Sequence, residues 1–372
     1  MKIVICANTA WNLINFRKGL ICALLENGYE VVAIASDDKY SKDLMSIGCK
    51  FIPVDMHSSG TNPVQDTILI FQIFQILSRE RPNIYLGFTI KPNIYGSLVA
   101  GFLKIPVINN IAGLGIVFGK SGLLKIIVRK MYRLALSRSH MIFFQNRSDQ
   151  SIFIIDALVR AEVTALLPGS GVDLERFRVM QLPVCTKEVR KFRFLLIARM
   201  LWDKGIGEFA EAAKLIKIHF TNVEFCLLGF LDVDNPNSIS NTQMNELVAS
   251  GLIYLGESDD VRIQIAEADC VVLPSYYREG TPRSLLEGAS MARPIITTDT
   301  PGCRDVVDHG INGYLCKVRD ARDLANKMLD LLLLPVEERI IMGLKGSEKI
   351  KVEFDEKIVI NKYLDNIKSA IN

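Results

Sequence analysis

Short apolar runs rich in β-branched residues alternate with helical patterns from the first residues onward. In the first half, the runs predict strands at Lys2–Cys6, Glu30–Ser36, Phe51–Val54, Asn83–Phe88, Pro106–Asn109 and Met141–Gln145. Phe16–Glu26 has helical spacing, and Gly28 follows it as a stop signal. Strands that alternate with helices are typical of an α/β fold with a mainly parallel sheet.

After Leu167 this pattern is interrupted by a segment marked by Pro and Gly, PGSGVDLERFRVMQLPVCTKEVRKF. A second series then predicts strands at Arg193–Ala198, Val223–Leu228, Leu252–Leu255, Cys270–Pro274 and Pro294–Thr297. A chain of 372 residues is also long for one core. We therefore expect two facing α/β domains, residues 1–170 and 190–350, with a ligand cleft between them. Residues 351–372 are expected to form a helix that crosses back to the first domain.

The charge is spread unevenly along the chain. Residues 1–180 carry 20 Lys/Arg against 13 Asp/Glu, whereas the remainder carries 24 against 28. Residues 81–148 contain ten Lys/Arg and no acidic residue. Such a block indicates an anionic partner: a membrane surface, a phosphorylated lipid or nucleic acid. The block has no recognisable nucleic-acid module, so we expect no nucleic-acid partner.

One helical pattern in this block, Leu123–Ser139, has basic and apolar faces. Lys125, Arg129 and Arg133 share the basic face. The other face holds Leu124, Ile127, Val128, Met131 and Ala135. The pattern fits a helix packed on the core with a solvated basic face, or a helix lying on anionic lipid. The absence of acidic neighbours favours contact with an anionic membrane surface.

The spacing of the cysteines and the length of the longest apolar stretch indicate the cellular compartment of the protein. The eight cysteines show no CxxC spacing, and Cys6, Cys226 and Cys270 lie inside predicted strands. Buried free thiols in a reducing cytosol are the expectation. The start has no cleavage site, and the apolar stretch Ile68–Leu77 is too short to span a bilayer. We expect a cytoplasmic protein, peripheral on the cytoplasmic face of the inner membrane.

The segment SYYREGTPRSLLEG, Ser275 to Gly288, holds two acids eight positions apart, Glu279 and Glu287. It follows an apolar run of strand length, so the loop begins at a strand's carboxyl end. Thr281 is predicted to cap a helix, with Pro282 at its first position. The next amides, those of Arg283, Ser284 and Leu285, would then be free to bind a phosphate with the helix dipole.

Glu287 lies more than one turn along this predicted helix, where its carboxylate reaches sugar hydroxyls. A second pair, Arg199 and Lys204, follows another predicted strand, and Gly205 opens the next helix. Two cations beside a helix N-terminus neutralise a diphosphate well, although alone they would equally fit two solvated surface charges. A predicted site for a diphosphate beside a predicted site for sugar hydroxyls indicates that the ligand is a nucleotide sugar.

Other motifs are weaker. GSGVD at residues 169–173 fits a linker turn whose glycines admit a ligand close to the backbone. Asp232-Val233-Asp234 has the DxD spacing of some metal-binding sugar transferases, but it lies in a polar loop and we expect no metal there. The four histidines show no metal spacing, and no GxGxxG follows the first strand, which argues against a nicotinamide fold.

Together these elements resemble the retaining glycosyltransferases of family 4, over nearly the whole chain. The markers are the E-x7-E pair, the R-x4-K pair, GSGVD, PSYYREGTPRSLLEG and TTDTPGCRDVV. NFRKGL near the start and KPNIYGSL at Lys91–Leu98 make the chain similar to bacterial transferases of lipid-linked O-antigen, capsule or protein-glycan assembly. The resemblance implies the GT-B fold of two facing Rossmann-like domains and a UDP-sugar donor, for many members a UDP-N-acetylhexosamine.

The resemblance also implies site residues. Arg199 and Lys204 would hold the donor diphosphate, Glu279 would contact the donor sugar, and Glu287 would bind the ribose. The backbone from Gly280 through Thr281 to Leu285 would complete the phosphate cradle. Acceptor-binding residues would be Asn8, Trp11, Asn15 and Arg17 in the loop after the first strand, and Lys91, Asn93, Gly113 and Gly115. Many members carry a His–Gly near the reacting centre, whereas this chain has Ala112 before Gly113.

The sequence therefore predicts metal-independent transfer of a sugar, with retention, from a UDP-sugar to a lipid-linked saccharide, and no cofactor. Catalysis would depend on Glu279, Arg199 and Lys204. Two alternatives stay open. One is an enzyme like UDP-N-acetylglucosamine 2-epimerase, which also pairs two Rossmann-like domains. The other is a nucleotide-sugar-binding membrane protein without turnover.

Overall fold

The computed structural model describes residues 1–56, 62–114, 123–182, 190–231 and 235–371. These residues divide into two compact units. The first comprises residues 1–170 and 356–372, and the second comprises residues 171–355. Each unit contains a sheet in which every pair of neighbouring strands is parallel, with helices packed against it. The α/β class predicted from the sequence is confirmed.

The described part of the first unit has a seven-stranded sheet in the order β3-β2-β1-β4-β5-β6-β7. Its strands are β1 (Lys2–Thr9), β2 (Glu30–Ser36), β3 (Lys50–Pro53), β4 (Ile84–Phe88), β5 (Val107–Ile111), β6 (Met141–Phe144) and β7 (Thr164–Leu166). Its helices are α1 (Ala10–Glu26), α2 (Ser41–Ser46), α3 (Pro63–Glu80), α4 (Ser97–Phe102), α5 (Leu123–Leu136), α6 (Arg147–Ile155) and, at the end of the chain, α13 (Glu356–Ile371).

The second unit, in its described residues, has a six-stranded sheet in the order β10-β9-β8-β11-β12-β13. Its strands are β8 (Phe192–Ile197), β9 (Val223–Leu228), β10 (Ile253–Tyr254), β11 (Cys270–Leu273), β12 (Ile295–Thr298) and β13 (Gly313–Cys316). Its helices are α7 (Ile206–Lys217), α8 (Asn241–Ala249), α9 (Arg262–Glu267), α10 (Arg283–Ser290), α11 (Ala321–Leu333) and α12 (Val336–Glu353).

The predicted strands match observed ones within one or two residues, except that β1 runs three residues further. Strands β7 and β13 lie outside the predicted series. Both are at the edges of their sheets. All of β7 and the two central residues of β13 are partly exposed, so neither strand is buried throughout as a central strand is.

The first helix begins six residues earlier than predicted. Strand β1 ends at Thr9, and Thr9 Oγ1 caps α1 by accepting the Asn12 N–H at 3.1 Å. The polar residues of the first turns hide this start from an apolar-periodicity argument. Asn8 therefore lies within β1, and Trp11, Asn15 and Arg17 lie within α1, so their predicted place in a loop after the first strand is wrong.

Helix α13 is part of the core of the first unit. Alternate β1 residues point to opposite faces of the sheet, with Val4 in one apolar cluster and Ile3 in the other. Tyr363 of α13 packs in the second cluster, 5.0 Å from the Phe143 ring between ring centroids. Its hydroxyl accepts a hydrogen bond from Asn110 Nδ2 at 3.0 Å. The last helix is thus fixed to β5 and β6 by both packing and a buried hydrogen bond.

The three thiols predicted to lie in strands are buried and free, which confirms that prediction. Cys6 is in β1, Cys226 in β9 and Cys270 in β11. Burial raises the pKa of Cys6 to about 12 and that of Cys226 to about 11. These thiols act as small apolar core residues.

Arg293 is a fully buried cation that joins three segments of the second unit. Its guanidinium donates to the carbonyls of Ile265 and Ala266, at 2.9 and 3.2 Å. It also donates to those of Met180 and Gln181, at 3.1 and 3.0 Å. Burial lowers the pKa of Arg293 to about 10, against the opposing charge of Asp269. The four hydrogen bonds of the Arg293 guanidinium thus fix Met180 and Gln181 against α9.

Arg293→Lys is expected to lower the free energy of unfolding by about 3 kcal/mol. An ammonium group has three donors at one point and does not span four carbonyls, so buried acceptors are left without partners. Urea unfolding measures the change. The matched control is Arg322→Lys, an exposed residue of α11. Equal midpoints for the two variants would contradict the bridging role.

Candidate active site

The two strongest sequence motifs lie at the carboxyl ends of β8 and β11, which are neighbours in the sheet. Arg199 follows β8 by two residues, and a 3-10 turn, Trp202–Lys204, leads into α7. Gly205 between them has φ +80°, and an added Cβ would lie 2.1 Å from the Pro274 carbonyl oxygen. Only glycine allows this close approach of the two loops.

Lys204 and Glu279 meet in an ion pair. The Ser275 hydroxyl donates to the same Glu279 oxygen at 2.9 Å. The Lys204 and Glu279 side chains are only 11% and 12% exposed, so solvent screens the pair weakly. The structure thus brings together two of the three residues predicted to be catalytic. The ammonium and the carboxylate hold each other in place.

Asp203 organises these loops, and sequence reasoning missed it. Its main-chain carbonyl accepts from the Tyr276 and Tyr277 amides, at 3.0 and 3.1 Å, and lies 3.2 Å from the Ser275 hydroxyl oxygen. Its side chain is buried, and this burial raises the pKa of the carboxyl group, opposed by the charges of Lys204 and Arg199. The signal in the sequence was an acid inside the R-x4-K motif.

Helix α10 begins one residue later than predicted. Pro282, with φ −65° and ψ 123°, is the N-cap residue, and no side chain caps the helix there. The prediction that Thr281 caps the helix is therefore wrong. The Leu285 and Leu286 amides both bond to the Pro282 carbonyl, at 3.2 and 3.4 Å. Because this turn uses the Leu285 amide, its prediction as a free donor is also wrong.

The start of α10 still presents the amides of Arg283 and Ser284 with the positive end of the helix dipole. Gly280 and Thr281 lie in the loop immediately before it. Their predicted role in a phosphate cradle, like that of Leu285, stays a prediction.

Glu287 is buried on α10, and Arg283 Nε donates to its Oε1 at 2.7 Å. Burial raises the pKa of Glu287, against the lowering by the Arg283 guanidinium. The charge of Arg176 also lowers the pKa of this carboxyl, and that of Asp260 raises it. Sequence reasoning missed these two residues, because neither belongs to a motif with a regular spacing.

The loop after β12 supports the segment that carries Glu279. Gly302 has φ +82°, and a Cβ there would lie 1.5 Å from the Gly280 carbonyl oxygen. The Thr298 hydroxyl donates to the Ser275 carbonyl. The TTDTPGCRDVV motif thus holds the Ser275–Gly280 loop from the side opposite Asp203.

Residues predicted to bind the acceptor lie in the first unit. Asn8 is near the end of β1, and Gly113, with φ +96°, follows β5 after Ala112. The Lys91 ammonium pairs with Asp66 at 2.8 Å. Gly115 lies outside the described residues, as do Asp232 and Asp234 of the DxD motif.

Two other predicted acceptor residues are buried. Asn93 is 1% exposed, and its side chain bonds to the Asn110 carbonyl at 2.8 Å and to Asn109 at 2.9 Å. Arg17 is 5% exposed and stacks over the Phe88 ring, 4.4 Å from its centroid. Their predicted roles in acceptor binding stay predictions.

Helix α5 has a mixed outer face. Val128 and Met131 pack on the core, and Ala135 is buried, as the sequence predicts. Ile127 is 44% exposed, so its place on the core face is wrong. About two turns further along the same stripe, Leu134 is 66% exposed. The Leu124 side chain lies outside the described residues.

The basic residues of α5 differ in their surroundings. Arg129 pairs with Asp156 at 2.7 Å. Lys130 and Arg133 are exposed, and Lys125 is partly exposed. Lys130, which the sequence analysis did not select, therefore joins Arg133 on the exposed face, while the charge of Arg129 is partly neutralised.

None of the helices in the described ranges has the length and apolar character required to cross a membrane. Within those same ranges, no cluster of three or more His, Cys, Asp or Glu side chains has the arrangement of a metal site.

Gly302→Ala is expected to reduce activity at least tenfold, because its Cβ displaces Gly280 and with it the Glu279 loop. Initial rates of the transfer assay described below measure the loss. Gly310→Ala is the matched control: its φ is +79°, but a Cβ there meets nothing within 4 Å. This control carries a similar backbone strain of about 1–2 kcal/mol and is expected to keep wild-type rates. Equal rates for both variants would show that the contact with Gly280 does not matter.

Two family models match the chain. Residues 2–146 match "Glycosyl transferase 4-like", and residues 191–333 match "Glycosyl transferases group 1". The N,N'-diacetylbacillosaminyl-diphospho-undecaprenol alpha-1,3-N-acetylgalactosaminyltransferase of Campylobacter jejuni is 28% identical, over 98% of this chain and 97% of the relative. The UDP-Gal:alpha-D-GlcNAc-diphosphoundecaprenol alpha-1,3-galactosyltransferase of Escherichia coli is 24% identical, over 80% and 81% of the two chains.

Among solved structures, Anabaena Alr3699/HepE in complex with UDP and glucose matches with a TM-score of 0.79 and 16% sequence identity. The match covers 99% of this chain and 100% of the HepE chain. This similarity confirms the predicted GT-B fold. The matches to both halves confirm the predicted family: the chain is a glycosyltransferase of the GT-B fold, with a glycosyl transferase 4-like first half and a group 1 second half.

Proposed function

We propose that this enzyme transfers a sugar, with retention and without a metal ion, from a UDP-sugar to a lipid-linked saccharide in bacterial surface glycan assembly. The observation that carries the proposal is the Lys204–Glu279 pair, fixed by Ser275 at the strand ends beside α10. It places a cation and a carboxylate where a nucleotide diphosphate and its sugar would meet.

The leaving group of such a transfer is UDP, and negative charge grows on its β-phosphate as the glycosidic bond breaks. Lys204, Arg199 and the amides at the start of α10 would stabilise this charge. One such preorganised donor is typically worth about 3 kcal/mol in the transition state. Two cations with a helix terminus supply the electrostatic role that a divalent metal has in other transferases.

Glu279 would change partners during the cycle. In the free enzyme its carboxylate accepts from Lys204 and Ser275. A bound diphosphate would attract the Lys204 ammonium and leave the carboxylate to accept sugar hydroxyls. Glu287, buried on α10 beside Arg283, would accept the ribose hydroxyls. With Glu279 acting as a sugar-binding group, attack by the acceptor on the same face as the departing UDP fits retention.

The names of the relatives support the substrate classes. The Campylobacter jejuni relative transfers N-acetylgalactosamine, and both relatives act on a saccharide joined to diphospho-undecaprenol. We infer a UDP-N-acetylhexosamine donor and a polyprenyl-diphosphate saccharide acceptor for this chain. The basic composition of residues 81–148 suits an acceptor with a diphosphate.

The first experiment incubates the wild-type protein with UDP-, GDP- and ADP-sugars, with and without a polyprenyl-diphosphate saccharide, in EDTA throughout. Acceptor-dependent UDP release from one donor is expected, and Glu279→Ala serves as the blank. Loss of activity in EDTA with rescue by magnesium or manganese would contradict metal independence. Epimerisation of the donor in the absence of acceptor would favour the epimerase alternative. Donor binding without turnover under every condition would favour the binding-protein alternative.

Lys204→Met is expected to reduce kcat by 10²–10³, because it removes a cation from the developing charge. Steady-state rates with the identified donor measure the change. Lys214→Met is the matched control, since Lys214 lies on the following helix, α7, with its side chain 51% exposed. If Lys204→Met raises only the donor KM and leaves kcat unchanged, Lys204 binds the ground state and the transition state of the donor equally and does not stabilise the developing charge.

We also propose that the protein is peripheral on the cytoplasmic face of the membrane, with α5 against anionic lipid. The exposed stripe of α5 combines Lys130 and Arg133 with Ile126 and Leu134, which are 53% and 66% exposed. Basic heads beside apolar side chains suit an interface between anionic headgroups and acyl chains. Lys125 extends the charge by one turn.

Replacing Lys125, Lys130 and Arg133 together by Gln is expected to weaken binding to phosphatidylglycerol vesicles by roughly two orders of magnitude, since each basic residue contributes about 1 kcal/mol. Vesicle sedimentation measures the affinity. The control replaces Lys214, Lys345 and Lys351 of the second unit in the same way. Equal losses for both triple variants would show a general charge effect and no α5 interface.

A further inference from the structure

Two polar side chains lie at the carboxyl ends of β1 and β4, which are neighbouring strands of the sheet. Asn8 and Thr89 each lie two residues beyond a directly paired position, Cys6 on β1 and Gly87 on β4. Neighbouring strands are roughly 4.8 Å apart. This is also the edge of a parallel sheet at which ligands of α/β proteins bind. Both residues are only partly exposed.

Both side chains have an unused hydrogen-bonding atom. Asn8 Oδ1 and Thr89 Oγ1 are shielded from solvent and have no hydrogen-bond partner among the residues that the structure describes. A buried polar atom without a partner costs about 1–3 kcal/mol. Native proteins keep few such atoms, and each requires an explanation. Here two of them belong to neighbouring strand ends.

Thr89 also has an unfavourable backbone. Its φ is +66°, a left-handed conformation that is an outlier for a β-branched residue. Such a conformation costs about 1–3 kcal/mol and persists only where the surroundings impose it. The Asn93 amide donates to the Thr89 carbonyl at 3.1 Å, and the turn that follows, Pro92–Gly96, is π-helical. Irregular turns of this kind are frequent at functional sites.

Resting on the proposed function, we propose that Thr89 and Asn8 together bind one hydroxyl group of the acceptor saccharide and so select the acceptor. The hydroxyl donates to Asn8 Oδ1 and accepts from the Thr89 hydroxyl. Rotation of the Thr89 side chain toward the ligand breaks no hydrogen bond of its Oγ1 to a described residue. Neither residue contacts the donor in this proposal.

A hydroxyl group fits this pair better than other groups do. It has a donor and an acceptor on one atom, so a single hydroxyl can pair with both the Asn8 carbonyl oxygen and the Thr89 hydroxyl. A phosphate or carboxylate oxygen would oppose the Asn8 carbonyl oxygen, and a methyl group would leave both atoms unpaired. Sites with unpaired polar groups reject analogues that lack the matching hydroxyl strongly.

The test uses Thr89→Val, which keeps the branched shape and removes the hydroxyl. Its acceptor KM is expected to rise about tenfold, as for the loss of one hydrogen bond, with donor KM unchanged. Thr89→Ser is expected to restore the wild-type acceptor KM. A wild-type acceptor KM in Thr89→Val would overturn the proposal.

A series of deoxy acceptors, each lacking one hydroxyl of the terminal sugar, identifies the group. One deoxy acceptor is expected to raise KM about a hundredfold in the wild type, because both hydrogen bonds are lost, and only about tenfold in Thr89→Val, where the bond to Asn8 alone remains to be lost. The other deoxy acceptors are expected to change both enzymes equally. Equal changes for every deoxy acceptor would contradict a contact between Thr89 and a terminal-sugar hydroxyl.

Thermal unfolding separates binding from a structural role. Thr89→Gly is expected to unfold at a higher temperature than the wild type, since glycine relieves the strain, while its acceptor KM is still raised. A Gly variant that is less stable and has a wild-type acceptor KM would assign Thr89 to folding alone. If the wild type releases UDP with no acceptor, the proposed function fails and this proposal with it. If the wild type transfers sugar and Thr89→Val does so equally well, only this proposal fails.

Discussion

The close approach of two backbone loops at the carboxyl ends of β8 and β11 is the constraint on which the candidate site depends. Gly205 allows the approach, because any side chain there would meet the Pro274 carbonyl. The Asp203 carbonyl then accepts hydrogen bonds from the Tyr276 and Tyr277 amides and lies beside the Ser275 hydroxyl. Lys204 and Glu279, 75 residues apart in the sequence, come into contact as a result. A second glycine contact, Gly302 against Gly280, supports the same loop from the next strand end. The charged groups therefore rest on main-chain contacts, which vary less in position than long side chains do.

The ion pair between Lys204 and Glu279 has a consequence for substrate binding. In the free enzyme the two charges satisfy each other in a site with little exposure to solvent. A single buried cation would be costly to keep without a partner, and so would a single buried carboxylate. We propose that a bound diphosphate replaces Glu279 as the partner of Lys204. Under the proposed function, the carboxylate thus becomes available for the sugar only when the diphosphate is bound. The same argument applies to Glu287, whose carboxylate is held by Arg283.

Much of the fold and of the donor motifs could be predicted from the sequence, since they depend on local signals. Apolar runs indicated the central strands, and regular spacings indicated Arg199, Lys204, Glu279 and Glu287. The errors arose where tertiary contacts decide. Pro282 took the N-cap position because the following amides turn back to its carbonyl, so Thr281 is not the cap. Ile127 is exposed because the orientation of α5 is set by its neighbours. Asp203 and Arg176 could not be selected, because their importance depends on which distant residues they approach.

Several unfavourable local features of the first unit lie at one edge of its sheet. Thr89 has a left-handed backbone, Asn8 and Thr89 have buried oxygen atoms without a described partner, and a π-helical turn follows directly. The nearby interior is different: Asn93, Asn109 and Asn110 satisfy one another there, and Tyr363 completes the network. The chain therefore pairs several buried polar groups close to this edge. The unpaired atoms at the strand ends do not follow from poor packing. Free energy is retained at those positions and becomes available to a ligand that pairs them, which is the usual physical relation between local strain and a binding site.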